Sequence, residues 1–457
     1  MSVLRRPCPF LFQGKTELPA EGMRVEIAII GGGLAGAEAA YQIALKGGSV
    51  CLYEMRPNVM TPAHRTGDLG ELVCSNSLKS REMTNAHGLL KAELRLLGSL
   101  VVDAARQTAI PGGKALVVDR TRFAKAITSA LLLHPRIRLE REAKRTLPDE
   151  GIVIVATGPL TEPSLGERIR EMTGGANLHF FDAVSPIVEG ASIDMAHAFF
   201  ANRYDAEGDD YLNCPLTREE YDRFYEALIT AKRVDLRAFE EDTPYFEGCL
   251  PIEVMAQRGR ETLAFGPMKP VGLVDKRAGK GEPYAVVQLR REDRSGSMYN
   301  IVGFQTKLTY SEQERVFSLV PALKKAVFFR HGSIHRNTFI NAPTVLDGLQ
   351  MKKEKRIFFA GQIVGVEGYM ESTAMGLLAG IAALSYERGK TFLPPRPATC
   401  VGALYRYIST ERRDFQPMNV NFGLLEGYDK RRKEQVAQRA LGQIEEWGRM
   451  VQESLGS

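Results

Sequence analysis

Apolar and polar positions change rhythm along the chain, and the first clear rhythm is a strand. Val25, Ile27, Ala28, Ile29 and Ile30 form a short, nearly continuous apolar run, as expected of a strand buried on both faces of a parallel sheet. Residues 37–45 then read as a helix and residues 50–53 as a second strand. Between first strand and helix lies Gly31-Gly32-Gly33-Leu34-Ala35-Gly36. Gly31 permits a tight turn, Gly33 lets a pyrophosphate approach the backbone, and Gly36 lets the helix pack closely on the strand. The free N–H groups at the helix start would face the phosphates. Glu54 ends the second strand 18 positions after Gly36, close to the spacing of about 20 at which an acceptor of ribose hydroxyls is found. Strand, glycines, helix, strand and acid in this order predict a dinucleotide-binding unit.

The pattern then breaks. Residues 55–81 are polar and interrupted by Pro57, Pro62, Gly67 and Gly70, and they contain Cys74. A long irregular segment beyond such a strand lies over the cofactor, because ligands sit outside the carboxyl ends of parallel strands. Cys74 is therefore a candidate active-site thiol, with a buried, inert cysteine as the alternative. Helical periodicity returns over residues 89–100 and 121–133, with a short strand at Leu116, Val117 and Val118. An apolar run in residues 151–160 leads into Ala156-Thr157-Gly158, a return to the first sheet.

From about residue 186 to 330 the runs become short and alternating. Residues 284–289 and 298–304 predict strands of a mixed or antiparallel sheet, and 218–232 and 311–317 predict helices. Cys249, between Gly248 and Pro251, sits on a constrained turn in this region, where a packed cysteine is again the alternative. The cofactor unit resumes near Ile357. Phe358 and Phe359 run into Ala360-Gly361-Gln362, then a loop through Gly365, Gly368 and Tyr369 leads to a small-residue helix over 372–383. A second glycine loop of this kind would cover a ribityl chain and isoalloxazine, which favours FAD over NAD as the tightly held ligand. The expected architecture is α/β: a Rossmann-like FAD-binding domain with a parallel central sheet, interrupted by a smaller α+β insertion domain. The expected layout is a flexible extension at 1–23, the FAD domain in two parts at 24–185 and 331–457, and the insertion at 186–330. The second part ends in a helical, charged tail over 403–447, whose strongest basic run is Lys430-Arg431-Arg432-Lys433.

Composition narrows the class. Hydrophobic content of 44% and charged content of 25% are those of a globular protein, and no apolar run approaches membrane-spanning length. A net charge of +5 permits a polyanionic partner without requiring one. Six scattered cysteines, without CxxC or zinc-like pairing, point to free thiols in a reducing cytoplasm and to no metal.

Longer motifs carry a resemblance. LYEMRP (52–57), TPAH (61–64), ELVCSNSLKS (71–80), YLNCP (211–215), FEGCLPIEVMA (246–256), FGPMKPVGL (265–273), YNIVGFQTKL (299–308), HRNTFINAP (335–343), FFAGQIVGVEGYMES (358–372) and NFGLL (421–425) closely resemble the bacterial FAD- and folate-dependent tRNA uracil-5-methyltransferases. The resemblance covers nearly the whole chain from Val25. It implies C5-methylation of the T-loop uridine at tRNA position 54. Methylenetetrahydrofolate would supply the carbon and NAD(P)H the reducing equivalents, through FAD. It also implies that Cys249 attacks uracil C6, which activates C5, and that Cys74 is a second essential thiol near the flavin. Family members usually begin close to the first strand, so the extension at 1–23 is expected to be dispensable. Arg290, Arg291, Arg294, Lys352, Lys353 and Lys355 are candidate phosphate contacts from charge alone. Three alternatives remain: the sister flavoprotein that builds a carboxymethylaminomethyl group on the wobble uridine, usually longer at its C-terminus; a metabolic FAD-linked oxidoreductase; and a nonenzymatic dinucleotide-binding sensor, which would not need the two cysteine motifs. A reductase would want its redox cysteines close in sequence, and Cys74 and Cys249 are far apart.

Overall fold

The computed structural model describes residues 26–175, 177–205, 207–234, 250–273, 275 and 282–456. The expected extension at 1–23, and Cys249 with it, lie outside the described residues. The first βαβ unit forms as its pattern dictates, with strand β1 at Glu26–Ile30, helix α1 at Leu34–Leu45 and strand β2 at Ser49–Tyr53. These belong to a seven-stranded sheet. Five strands are parallel, in the order Ile357–Phe359, Val153–Val155, β1, β2, Ile137–Glu140, and a short antiparallel pair, Leu346–Asp347 and Gln350–Met351, closes one edge. Every residue of Val153–Val155 and of Ile357–Phe359 is buried, which is why those runs are continuously apolar rather than alternating.

The long helix Tyr369–Glu387 crosses α1 at close range, and small residues make the approach possible. A Cβ added at Gly380 would stand 2.8 Å from the Ala39 carbonyl oxygen, and Gly376 is pressed against the Ala35 backbone in the same way. Its helix starts three residues earlier than the periodicity predicts, so Tyr369 is its first residue. The predicted helix over 89–100 is two helices, Ala86–Leu96 and Leu100–Gln107. Gly98, at φ +73°, ends the first, and the Ser99 side chain accepts from Val102 N–H to cap the second. The charged tail is likewise interrupted: helix Cys400–Ser409 and helix Lys433–Leu455 flank an irregular stretch containing Pro417, Gly423 and Gly427. Fully buried Glu93 accepts the N–H groups of Cys400 and Val401 at 2.8 and 2.9 Å, and burial pushes its carboxyl up to about 8 against those bonds.

A second sheet of six antiparallel strands runs in the order Phe199–Phe200, Tyr211–Leu216, Ala285–Arg291, Met298–Ile301, Ile187–Glu189, Phe328–Arg330. It has its own apolar core, centred on Tyr221, Phe224, Phe304 and Phe317. Helix Arg218–Ile229 packs there behind a reciprocal cap between Thr217 and Glu220. The chain enters and leaves this region through one antiparallel ribbon, Asn177–Val184 paired with Ser333–Ile340. The whole is an α/β fold with a Rossmann-like parallel sheet interrupted by an α+β region. No helix among the described residues is long and apolar enough to cross a membrane.

Candidate functional site

The glycine turn sits at the carboxyl end of β1 and opens a cleft of about 1040 Å³. Gly31, at φ +107°, lies so close to the returning strand that an added Cβ would be 2.5 Å from the Ala156 carbonyl oxygen. Gly36 packs directly on the Gly31 carbonyl. Gly33 differs from both: its Cβ position meets nothing within 4 Å, and it caps α1 without any side-chain hydrogen bond. A turn that is tight everywhere except at Gly33, with the free N–H groups of α1 behind it, is a cradle that a side chain would fill and a pyrophosphate fits. Leu34 and Ala35 continue the lining, and Gly361, Gln362 and Tyr369 close the cleft from the second glycine loop. Gly368 stands at φ +119° just before the long helix, with its Cβ position filled by the Glu371 carboxylate. Gln362 donates to Glu367.

Glu54 borders the cleft, but its oxygens are already engaged. Oε2 accepts from the Gly32 N–H at 2.9 Å and from Arg56 Nη2 at 3.1 Å, and Oε1 accepts from the N–H and Nε of Arg56 at 2.9 and 2.8 Å. Burial raises the Glu54 pKa, but the bonds and charge of Arg56 outweigh it and hold the carboxyl below the ordinary range. Arg56 also reaches Glu71 at 3.1 Å, so a buried pair ties the glycine turn to the irregular segment above it. The sequence reading passes over Arg56, although LYEMRP puts it two residues beyond the acid.

Cys74 is half-buried on that irregular segment, with its N–H and that of Ser75 donating to the Tyr369 hydroxyl at 2.9 and 3.2 Å. It lines a second chamber of about 1380 Å³, which shares Val73, Gln362, Tyr369 and Ser372 with the first. Ser75, Lys79, His87, Arg290 and Glu371 supply its polar wall. His87 Nδ1 lies 3.3 Å from Glu371 Oε1. Burial raises the Glu371 pKa, and His87 and Lys79 bring it below its ordinary value. Arg290, expected from charge to meet phosphate in solvent, is instead buried, donating to Asn76 and to Ser75 at 2.8 Å. The structure therefore brings Cys74 together with Gln362, Gly368 and Tyr369 in the second chamber, which meets the glycine cleft at Gln362 and Tyr369, while Gly361 lines the cleft alone. Among the described residues, Cys51, Cys214 and Cys400 are buried cysteines elsewhere, outside any disulfide, and no metal-binding cluster is present.

A family model described as Glucose inhibited division protein A matches residues 26–391. A protein of Aquifex aeolicus (strain VF5), described as methylenetetrahydrofolate--tRNA-(uracil-5-)-methyltransferase TrmFO, is 54% identical over 432 residues, covering 93% of this chain and 97% of its own. A protein of Syntrophus aciditrophicus (strain SB) with the same description is 54% identical over 429 residues, covering 92% and 97%. Among solved structures, Aquifex aeolicus GidA in the form II crystal has a TM-score of 0.68 at 16% identity, covering 95% of this chain and 74% of that one. At that identity the likeness speaks for the fold alone.

Proposed function

The chain belongs to the methylenetetrahydrofolate--tRNA-(uracil-5-)-methyltransferases, within the family described as Glucose inhibited division protein A, and from that premise we propose how its residues divide the work. The enzyme methylates C5 of a uridine in tRNA, with methylenetetrahydrofolate as carbon donor and FAD, reduced by NAD(P)H, as cofactor. We assign the target to position 54 in the T-loop and the enzyme to the cytoplasm, with the tRNA. When bound, FAD supplies the reducing chemistry that turns a transferred one-carbon unit into a methyl group.

In this reading the chain's own residues bind, orient and exclude water. Gly31 to Gly36 and the N-terminus of α1 hold the pyrophosphate, Glu54 borders the ribose, and Gly361, Gln362, Gly368 and Tyr369 enclose the flavin ring. The region at 186–330 presents the RNA. The second chamber receives the pterin and an extruded uracil. Uracil C5 is a poor nucleophile until a thiolate adds to C6, and Cys249 is our choice for that addition, with Cys74 as the thiol beside the flavin. The observation that carries the reading is the shared wall of the two chambers, where Tyr369 lines both the dinucleotide cleft and the second chamber and holds the backbone of Cys74, which lines the second. The carboxymethylaminomethyl alternative has less behind it, since the relatives at 54% identity are described as uracil-5-methyltransferases.

An RNA carrying 5-fluorouridine at the target should become covalently trapped, because fluorine at C5 cannot leave as a proton does. Cys249→Ala should abolish the trapped complex and methylation while retaining FAD. Trapping that survives Cys249→Ala and vanishes with Cys74→Ala would reverse the two roles.

A further inference from the structure

Residues 72–76 carry Cys74 along the second chamber without belonging to a helix or a strand, so no regular backbone pattern holds them. They are held from outside. Arg120, the first residue of helix Arg120–Leu132, donates to the carbonyls of Leu72 and Cys74, the latter at 3.2 Å. Arg330, the last residue of the edge strand Phe328–Arg330, donates to the carbonyls of Val73 and Cys74 at 2.9 and 3.1 Å. The Cys74 carbonyl thus receives one bond from each of two guanidinium groups, while its N–H is taken by Tyr369. Both peptide planes around Cys74 are pinned, and only the side-chain torsion is left.

Glu292 is the carboxylate of this cluster. Its Oε2 accepts from Arg120 Nε at 2.7 Å, whereas its Oε1 is buried without a hydrogen-bond partner, as is Nε of Arg330. An unpaired buried polar atom costs about 1–3 kcal/mol, so a joint serving only to fasten two sheets would be expected to satisfy both. Burial and the neighbouring Arg120 bring Arg330 down to about 10, with Glu292 opposing them, so its guanidinium stays charged near neutral pH.

We propose that Arg120 and Arg330 are positioning residues for the methylation, a clamp that sets where the Cys74 thiol stands in the second chamber, beside the wall shared with the flavin cleft. The inference rests on Cys74 taking part in the reaction. Arg120 follows the strand Ala115–Val118 of a separate three-stranded sheet, while Glu292 directly follows, and Arg330 ends, a strand of the antiparallel sheet. The clamp is complete only when the two regions are docked.

The test uses the full-length, flavin-loaded protein. Arg330→Lys keeps the charge but replaces a planar fork that reaches two carbonyls with a single ammonium. FAD content and melting temperature should stay near wild type. kcat should fall on the order of 100-fold, the effect that roughly 1 Å of misplacement can produce, with KM for tRNA unchanged. Alkylation of Cys74 by iodoacetamide, read by peptide mass mapping, should become faster as the loop is released. Arg120→Lys is an independent variant with the same expected signature. Wild-type turnover and alkylation in both variants would overturn the proposal. Loss of flavin and of cooperative melting in both would also overturn it, by making the arginines a structural joint. Should Cys74→Ala itself still methylate, the role given to Cys74 fails, and the alkylation rates separately decide whether the clamp holds the loop.

Discussion

The glycine turn at residues 31–36 and the segment at 72–76 border the same cleft, yet the first is held by its own backbone and the second by side chains from distant parts of the chain. At the turn, Gly31 and Gly36 are fixed by contacts with the adjoining strand and with each other, and the nearest supports lie within one βαβ unit or on the strand beside it. At the thiol segment the supports are Arg120, Arg290, Arg330 and Tyr369, between 46 and 295 positions away. The difference teaches where each kind of precision comes from. A phosphate cradle needs bare backbone with free N–H groups, which local geometry provides; a thiol needs an address relative to two ligands, which only the assembled fold provides.

Substitutions within the turn should separate two kinds of failure, and they carry the largest expected effect. Gly33→Val should yield a folded protein that is colourless, because its Cβ meets no protein atom within 4 Å and the side chain fills the pyrophosphate cradle. Gly36→Val should instead fail to give folded protein, since its side chain collides with the Gly31 carbonyl. Absorbance of the purified protein and its melting curve distinguish the two; full flavin occupancy in Gly33→Val would sink the placement of the cradle.

Tyr369→Phe probes the thiol segment with a smaller change. It keeps the ring that lines the flavin cleft and removes the oxygen that accepts from Cys74 and Ser75. Two amide groups lose their partner, so unfolding should become easier by about 1–3 kcal/mol. Turnover should fall on the order of 10-fold or more through misplacement of the thiol, with FAD retained. A variant that loses flavin while leaving turnover per bound flavin intact would move Tyr369 from the thiol to the cofactor.

The smallest effect on flavin and turnover lies away from the cleft and serves as its control. Because burial raises the folded-state pKa of Glu93 from 4.5 to about 8, its stabilising contribution is fully present below pH 4.5 and is lost as pH rises towards about 8. Glu93→Gln imitates the protonated acid. It should match wild type within about 1 kcal/mol near acid pH and become the more stable form at alkaline pH, with flavin content unaltered throughout. A stability gap that is constant across this range would mean that Glu93 is not titrating as its burial implies.

Much of this contrast was visible in the sequence, and the rest was hidden for a physical reason. The βαβ unit, the strands at 153–155 and 357–359, and two of the six strands of the second sheet, at 285–291 and 298–301, follow from apolar runs, which depend on neighbours in sequence. Gly31, Gly33 and Gly36 were legible because they fall at fixed short spacings between β1 and α1, although the strand that crowds Gly31, at Ala156, lies far away in sequence. Arg56 was within reach, two residues beyond Glu54, but a carboxylate read as a ribose acceptor gave no reason to look for a buried partner. Arg120 and Arg330 offered no signal at all: a lone arginine at a helix start or strand end is indistinguishable from a solvated one until the fold brings it to Leu72, Val73 and Cys74. Gly98 and Ser99 were misread for the opposite reason, a local stop and cap inside an apolar pattern that runs straight through them.

The interruption of the parallel sheet also sets a timetable for synthesis. Val153–Val155 pairs on one side with β1 and on the other with Ile357–Phe359, about two hundred residues further on. At roughly 5–20 residues per second, the ribosome leaves that edge unpaired for about 10–40 s, while the antiparallel sheet between them is being made. Gly361, Gln362, Tyr369 and Ser372 emerge later still, so the nascent chain carries its glycine turn long before it owns a cleft, and the flavin is necessarily a late arrival.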